Sequence, residues 1–354
     1  MSDLPKTRVL VLWNQVDDDI YEEWQKAGPR PLPWNPAERA SEVDTVDDEV
    51  QALIEAILEG GYETTLVNIE NDFRRLLAAL DLYQPDVVFN MVEFFNDDAV
   101  QEAYVAGVFE LLGIPYTGCD PVCLATCQDK YRTKLLLRAA GLPTAPFFLV
   151  DVDARVPKDH GLRFPLIVKP SRQDASSGIE HSSVVLDEEE LEQQVVRLID
   201  DYDDTVLVEE YIDGREIHAA ILGHEPPLVL PLFEMEFDDS EFRDGQGWRP
   251  KIISYSAKWD PHTKDFYSME ARVPPENLDP GLADKVRQVA AKAFTVLGCR
   301  GYARIDMRVS RAGQPYILEV NPNPDLVEET AYMMCAHTSG RTFSQTLAEI
   351  IEIA

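Results

Sequence analysis

No stretch of this sequence approaches the roughly 18 consecutive apolar residues that a membrane-crossing helix needs. The N-terminal run MSDLPKTRVLVLW also lacks the basic, apolar and small-residue layout of a cleavable signal. Both absences lead us to expect a cytoplasmic enzyme with no membrane partner. Basic residues are scarce: 32 Lys and Arg stand against 64 Asp and Glu, for a net charge of −32. Phosphate backbones and anionic lipid repel such a chain, which excludes nucleic acid as a partner. Acid this abundant reads first as a solvated surface, in a salt-rich cytosol for instance, and second as attraction for cationic substrates. Cysteines number five, an odd count that implies no disulfide framework. Cys119, Cys123 and Cys127 stand four apart, a spacing that matches none of the usual zinc patterns. We therefore read them as small packing residues around a helix that starts near Asp120-Pro121. Internal repeats and low-complexity tracts are absent too.

What is present is a chain of 354 residues with 45% hydrophobic content, enough for two or three globular domains. Val9 to Trp13 is a continuous apolar run, as expected of a strand buried on both sides. A Pro- and Trp-containing loop, roughly residues 14–40, follows it. Val46, Val50, Leu53, Ile54, Ile57 and Leu58 recur at helical spacing, and Gly60-Gly61 ends that helix. Strands at 64–69 and 87–91 alternate with helices at 73–83 and 100–112. This βαβαβα pattern predicts a doubly wound parallel domain to about Cys119. Ligands of such sheets lie beyond the strand C-termini, so 14–19 and 90–98 are candidate substrate loops.

Further on, Phe164 to Pro170 reads as an apolar strand ending in Lys169, followed by the small polar loop SRQDASSG. A lysine beside such a loop suits nucleotide phosphates. Strands at 205–211 and 215–222 flank a turn at Ile212-Asp213-Gly214, with Glu209 and Glu216 on either side. The segment IISYSAKW places Lys258 in an apolar context, where we expect it buried and in need of an anion. Amphipathic helices at 282–297 and 342–353 complete the chain.

The most informative stretch is Gly301 to Asp325, two short strands around a tight turn at Arg311-Ala312-Gly313-Gln314. If Arg311 faces Gln314, then Met307 meets Leu318, Asp306 meets Glu319, Ile305 meets Val320 and Arg304 meets Asn321. One face is then apolar, and the other, wet, face carries Arg304, Asp306, Glu319 and Asn321. A slip of one residue sets charged positions against apolar ones. Three hard oxygen ligands suit Mg²⁺ completed by substrate phosphates, and the guanidinium can stabilise charge on a transferring group. Standing alone, the pattern also fits a solvated hairpin.

In order, Lys130, I-V-K169-P, D-A-S-S-G178, V-E209-E-Y-I-D-G-R-E216, A-K258-W, G-Y-A-R304-I-D306 and L-E319-V-N321-P resemble the ATP-grasp superfamily. Within it the chain resembles the D-alanine–D-alanine ligase family from about Pro85 to Ile353. The resemblance implies an α/β (α+β ATP-grasp) fold of three units: a Rossmann-like domain at 1–122, a central lobe at 123–213 and a C-terminal lobe at 214–354. It implies ATP between the last two lobes, with Lys130, Lys169 and Lys258 on the phosphates and adenine side. Glu209, Glu210, Tyr211 and Ile212 would form the adenine hinge, and Glu216 would meet the ribose. Asp306, Glu319 and Asn321 would hold one or two Mg²⁺ ions, or Mn²⁺ in their place. Arg304, Lys258 and Ser176 would be catalytic. A substrate carboxylate would take the γ-phosphoryl as an acyl phosphate, and an amine would then displace phosphate. The partners implied are small-molecule carboxylate and amine substrates and a second copy of the chain in a homodimer.

The departures fall on the amino-acid side. The family's glycine-rich N-terminal loop with its glutamate is replaced by WNQVDDD. Its H-G…G-E-D-G element is replaced by residues 91–98, MVEFFNDD. A loop glycine becomes Asp174, a substrate-orienting serine becomes Ala175, and a tyrosine becomes Trp259. The P-G loop becomes Asn323-Pro324-Asp325-Leu326. We therefore expect an ATP- and Mg²⁺-dependent carboxylate–amine ligase whose substrates are not D-alanine on both sides. The alternatives are a D-alanine–D-alanine ligase with a diverged pocket and a nucleotide-binding module without catalysis.

Overall fold

The computed structural model describes residues 6–354 except 17–20, 22–25, 27, 29, 42, 97, 224–225 and 239–248. The apolar run at the start forms β1 (Arg8–Trp13), buried on both sides as a central parallel strand is. The segment read as a loop contains a two-stranded ribbon, β2 (Pro31–Leu32) and β3 (Asn35–Arg39). So short a ribbon leaves almost no periodic signal in sequence. Helix α1 (Val46–Glu59) opens with a reciprocal cap between Thr45 and Asp48. Strand β4 (Glu63–Asn68), α2 (Phe73–Tyr83), β5 (Val87–Met91) and α3 (Glu102–Leu112) follow. The strands run parallel in the order β4-β1-β5, so Trp13 and Met91 end on one edge, where ligands of such sheets bind.

Helix α4 (Pro121–Gln128), capped by Asp120, runs through the boundary expected at 122/123, and we place that boundary ahead of Asp120 instead. Helix α5 (Lys130–Ala139) is capped by Asp129. Next come β6 (Phe147–Val150), β7 (Leu166–Pro170), β8 (Val184–Val185), α6 (Glu188–Tyr202) and β9 (Val206–Glu210). These strands form a four-stranded antiparallel sheet, β6-β9-β7-β8, covered by α6. Val168, Leu198 and Val208 belong to a core of its own.

The last unit holds β10 (Gly214–Leu222), β11 (Leu228–Val229), β12 (Phe233–Phe237), α7 (Tyr255–Trp259), β13 (Met269–Arg272) and α8 (Pro280–Val296). Strands β14 (Tyr302–Ser310) and β15 (Pro315–Asn321) and helices α9 (Ala331–Thr338) and α10 (Phe343–Ile353) complete it. Its sheet is antiparallel in the order β13-β12-β10-β14-β15. The apolar face, with Ile217, Ile305 and Met307, shares one core with Leu10 and Leu12 of β1 and Phe294 of α8. A second core joins Val9 and Val11 to Tyr332 and Leu347. The N-terminal and C-terminal units are thus welded by shared cores. Among the described residues, no helix is long and apolar enough to cross a membrane.

Strand β14 pairs with β15 through Arg304–Asn321, Ile305–Val320 and Asp306–Glu319, the register expected from the side chains. Beyond Asp306 the register shifts, and Met307 meets Ile317 rather than Leu318. The reason lies in the turn. Ser310 N–H donates to the Gln314 carbonyl at 2.9 Å, so the loop has three residues, with Gly313 at φ 71°. Leu318 is the bulged residue that reconciles this loop with the alternation at the site end.

Candidate active site

The polar face of β14 is not wet, contrary to the expectation from sequence. Asp306 is 4% exposed and Arg308 3%, because β10 lies alongside and contributes Glu216 and His218 to the same face. Arg304 Nε and Nη2 each donate to one Asp306 oxygen at 2.8 Å, a bidentate pair. Arg308 pairs with Glu216 at 2.8 Å. His218 stands between the two carboxylates, 3.3 Å from Glu216 and 3.7 Å from Asp306, stacked on Phe233. Burial pushes the Asp306 carboxyl up, but Arg304 and His218 outweigh it and hold it at about 2. His218 and Arg308 escaped the sequence reading because only the β10–β14 register, across about ninety residues of chain, brings them there.

Glu319 and Asn321 face the same cavity. Glu319 lies 4.0 Å from the Lys130 ammonium, and Asn321 Oδ1 accepts the Asn323 N–H at 3.1 Å. Lys130, Asp174, Glu319 and Asn321 line one small cavity together. A larger open groove around Pro274 and Met334 contains none of these groups. Asp306, Glu319 and Asn321 therefore form a hard oxygen set at paired strand positions, the chemistry that suits Mg²⁺. Two carboxylate oxygens leave Asp306 lone pairs beyond those that Arg304 engages.

Lys169, at the end of β7, is buried, and its ammonium lies 2.6 Å from Glu209. The other Glu209 oxygen lies 2.5 Å from Lys134 of α5, a lysine only 1% exposed. These approaches are charge pairs set off the ideal hydrogen-bond directions. Lys134 also donates to Thr144 Oγ1 at 2.8 Å. Burial raises the Glu209 carboxyl, and the two lysines together outweigh that and lower it. Burial brings the Lys134 ammonium down to about 8. Lys134 was missed: one turn after Lys130, it reads in sequence like any helix-surface lysine. Glu210, by contrast, points outward to Arg163 at 3.1 Å. The Tyr211 hydroxyl exchanges hydrogen bonds with the Lys251 backbone at 3.0 Å, and Ile212 is half-buried in the turn before β10.

The small loop after β7 folds back on α5: the Lys130 ammonium donates to the Gln173 carbonyl, and its backbone N–H to Ser171 O. Ala175 and Ser176 hold φ of 53° and 64°, and Gly178 φ 74°. A Cβ on Gly178 would stand 2.9 Å from the Pro170 ring, so the loop closes only with glycine there. Ser176 is half-buried at the loop's tip. Lys258 is exposed, not buried as expected. Ser254 caps the short helix α7, Ala257 takes its inner face, and Lys258 comes out over the Trp259 ring at 4.6 Å. Its charge still reaches the cavity, lowering both Asp306 and Glu93. Trp259 Nε1 donates to Ala175 O at 3.0 Å, joining α7 to the loop.

One end of this region, around Glu93, is acidic. Glu93, in the loop after β5, sits among protein groups yet open to water. Lost solvation, then Asp325 and Asp174, push its carboxyl up to about 7, with water still screening part of that. Glu102 is raised as well, by burial, against a 2.8 Å hydrogen bond from Asn323 Nδ2. Asn323 Oδ1 in turn accepts from the Tyr302 hydroxyl. Of the other acids in the candidate substrate loops, Asp98 caps the turn before α3 through Val100 N–H. Asp17 to Asp19 and Asp97 lie outside the described residues.

With this geometry in hand, the relatives are informative. The family model described as "D-ala D-ala ligase C-terminus" matches residues 136–352. A Sinorhizobium fredii protein named "Uncharacterized protein y4sG" is 31% identical over 360 residues, 98% of this chain and 96% of that one. The D-alanine–D-alanine ligase of Pelotomaculum thermopropionicum is 31% identical over 292 residues, 76% of this chain and 85% of that one. The crystal structure of Bacillus anthracis D-alanine–D-alanine ligase complexed with ATP superposes with a TM-score of 0.69 at 22% identity, covering 98% of this chain and 97% of that one. That last likeness speaks for the fold, and the first three carry the descent. The chain therefore belongs to the D-alanine–D-alanine ligase family of ATP-grasp enzymes, ligases that form carbon–nitrogen bonds.

Proposed function

We propose that this protein is an ATP- and Mg²⁺-dependent carboxylate–amine ligase that works through an acyl phosphate and whose substrates are not D-alanine on both sides. The observation that carries the reaction class is the hairpin: Arg304, Asp306, Glu319 and Asn321 share one face of paired strands. Mg²⁺ held by Asp306, Glu319 and Asn321 would supply charge neutralisation at the nucleotide's phosphates. Lys130, Lys169 and Lys258 would bind the nucleotide, with Glu209, Glu210, Tyr211 and Ile212 lining its base and Glu216 its ribose. Ser176 would orient the carboxylate, and Arg304 would meet the oxyanion formed as the amine attacks.

The acidic end supports the substrate clause. Glu93, Asp174 and Asp325 repel one another, and a second substrate carboxylate would add to that repulsion. A cationic amine relieves it. Ala175 lacks a hydroxyl and Trp259 commits its only donor to Ala175 O, so neither can orient an amino acid by hydrogen bonds. The relatives named D-alanine–D-alanine ligases favour the reading in which D-alanine is still used. Measuring ADP release with ATP, Mg²⁺ and a panel of amino acids, peptides and polyamines tests the proposal. Release that depends on one carboxylate–amine pair is expected. Nucleotide binding with no substrate-dependent release across the panel would mean a module without catalysis.

A further inference from the structure

Three of the five cysteines of this chain meet at one point, with a fourth beside them, though they come from two distant stretches. Cys119 precedes α4, Cys123 and Cys127 stand one turn apart on it, and Cys299 lies in the turn between α8 and β14. Cys123 Sγ is 3.6 Å from Cys299 Sγ and 4.0 Å from Cys127 Sγ. The sulfurs of Cys119, Cys123 and Cys299 all lie within 4.8 Å of one another. A tetrahedral ion bonded to sulfur at about 2.3 Å needs sulfurs about 3.8 Å apart. We propose that these cysteines are a structural site for a thiophilic divalent cation of the zinc class, ligated by Cys119, Cys123 and Cys299 with Cys127 as the fourth donor.

Cys299 is what changes the reading of the sequence. The 119/123/127 spacing alone matches no zinc pattern, but Cys119 and Cys123 from one segment and Cys299 from a distant turn bring three sulfurs together, with Cys127 4.0 Å from Cys123. The surroundings fit thiolate ligands. The Arg300 backbone N–H donates to Cys119 Sγ at 3.3 Å, an orientation that favours a charged sulfur. The Arg300 side chain lies over the Tyr116 ring at 4.5 Å, donates to Gly118 O and pairs with Glu110 at 3.5 Å. A disulfide fits less well. Cys123 and Cys127 are consecutive-turn neighbours on a helix, and a bridge between any two leaves the other sulfurs in the same contact. The site lies in the core shared by the N-terminal and C-terminal units. Its ion, held by Cys299 five residues before Arg304, would fix the turn that leads into β14.

The test is cobalt substitution of the whole protein under reducing conditions, in excess Mg²⁺ to fill oxygen sites. We expect one Co²⁺ per chain with sulfur-to-cobalt charge-transfer bands in the near ultraviolet, bands that oxygen ligands do not give. Zn²⁺ should displace it, and a thiol-competitive chelator should lower the melting temperature. Cys299→Ser should abolish the bands, Cys127→Ser should weaken them, and Cys335→Ser, a buried cysteine elsewhere, should leave them intact. Absence of the bands in folded wild-type protein overturns the proposal whatever the variants do. So do bands that survive Cys299→Ser, or a Cys123–Cys299 disulfide found by mass in protein kept reduced.

Discussion

The two ends of the cleft handle charge in opposite ways. At the hairpin end, each of these buried acids has a base against it: Glu209 between Lys134 and Lys169, Glu216 on Arg308, Asp306 on Arg304. At the other end the Glu93 carboxyl feels Asp325 and Asp174, the second of which also lines the cavity with Glu319, and Lys258 is the cation it feels most. Paired charges are preorganised for one ligand, and crowded like charges wait for an opposite one.

The sharpest way to break the paired end is Glu209→Gln. It leaves two buried ammoniums facing an amide, which should lose about 3–5 kcal/mol of stability, read by denaturant unfolding. A loss below 1 kcal/mol would mean the pair is far wetter than its geometry. Glu319→Ala, at a partly exposed position, should leave the melting temperature nearly unchanged and lower kcat about 10²–10³-fold at saturating Mg²⁺. Normal turnover in that variant removes Glu319 from the metal set. Lys169→Met keeps Lys134 on Glu209, so the protein should fold while losing most of its ATP-dependent stabilisation, about 2.7 kcal/mol at a hundred times Kd. A full thermal shift with ATP in that variant would clear Lys169 of phosphate binding.

The smallest effect sharpens the contrast by its sign. Asp306 is held at about 2, below its ordinary 3.8, so its contribution is complete above 3.8 and is lost as pH falls through 2. Glu93 is raised from 4.5 to about 7, so its contribution is complete below 4.5 and is lost as pH rises through 7. Glu93→Gln should therefore raise the melting temperature at pH 8 and leave it unchanged near pH 4.5, in a paired melting series. A variant no more stable than wild type at pH 8 means that Glu93 is fully screened.

Much of this was legible in the sequence. Alternation along Arg304–Met307 and Leu318–Asn321 gave the three pairs nearest the site, because a one-residue slip there opposes charge to apolar side chains. It could not give the bulge at Leu318, which depends on how Ser310 and Gln314 close the loop. The helices expected at 73–83, near Asp120 and at 342–353 start at Phe73, Pro121 and Phe343, each behind a side-chain cap, because capping is local. Lys134, His218 and Cys299 were invisible for one shared reason. Their roles come from partners tens to nearly two hundred residues away, and no periodicity carries that information. Lys258 misled in the other direction: apolar neighbours in sequence suggested burial, but Ala257 takes the inner face of α7.

The measurement closest to the central claim is kcat/KM for wild-type protein with D-alanine and with a series of cationic amines as acceptors, read by ADP release near pH 8 and by product mass. A cationic amine should exceed D-alanine as acceptor, and Glu93→Gln should narrow the gap. Losing designed hydrogen bonds to a small polar substrate can cost ~10⁴–10⁵ in discrimination, so the preference should be large. D-Alanyl-D-alanine formed with a higher kcat/KM than every other product would contradict the account, and the acidic end of the cleft would then be a solvated surface.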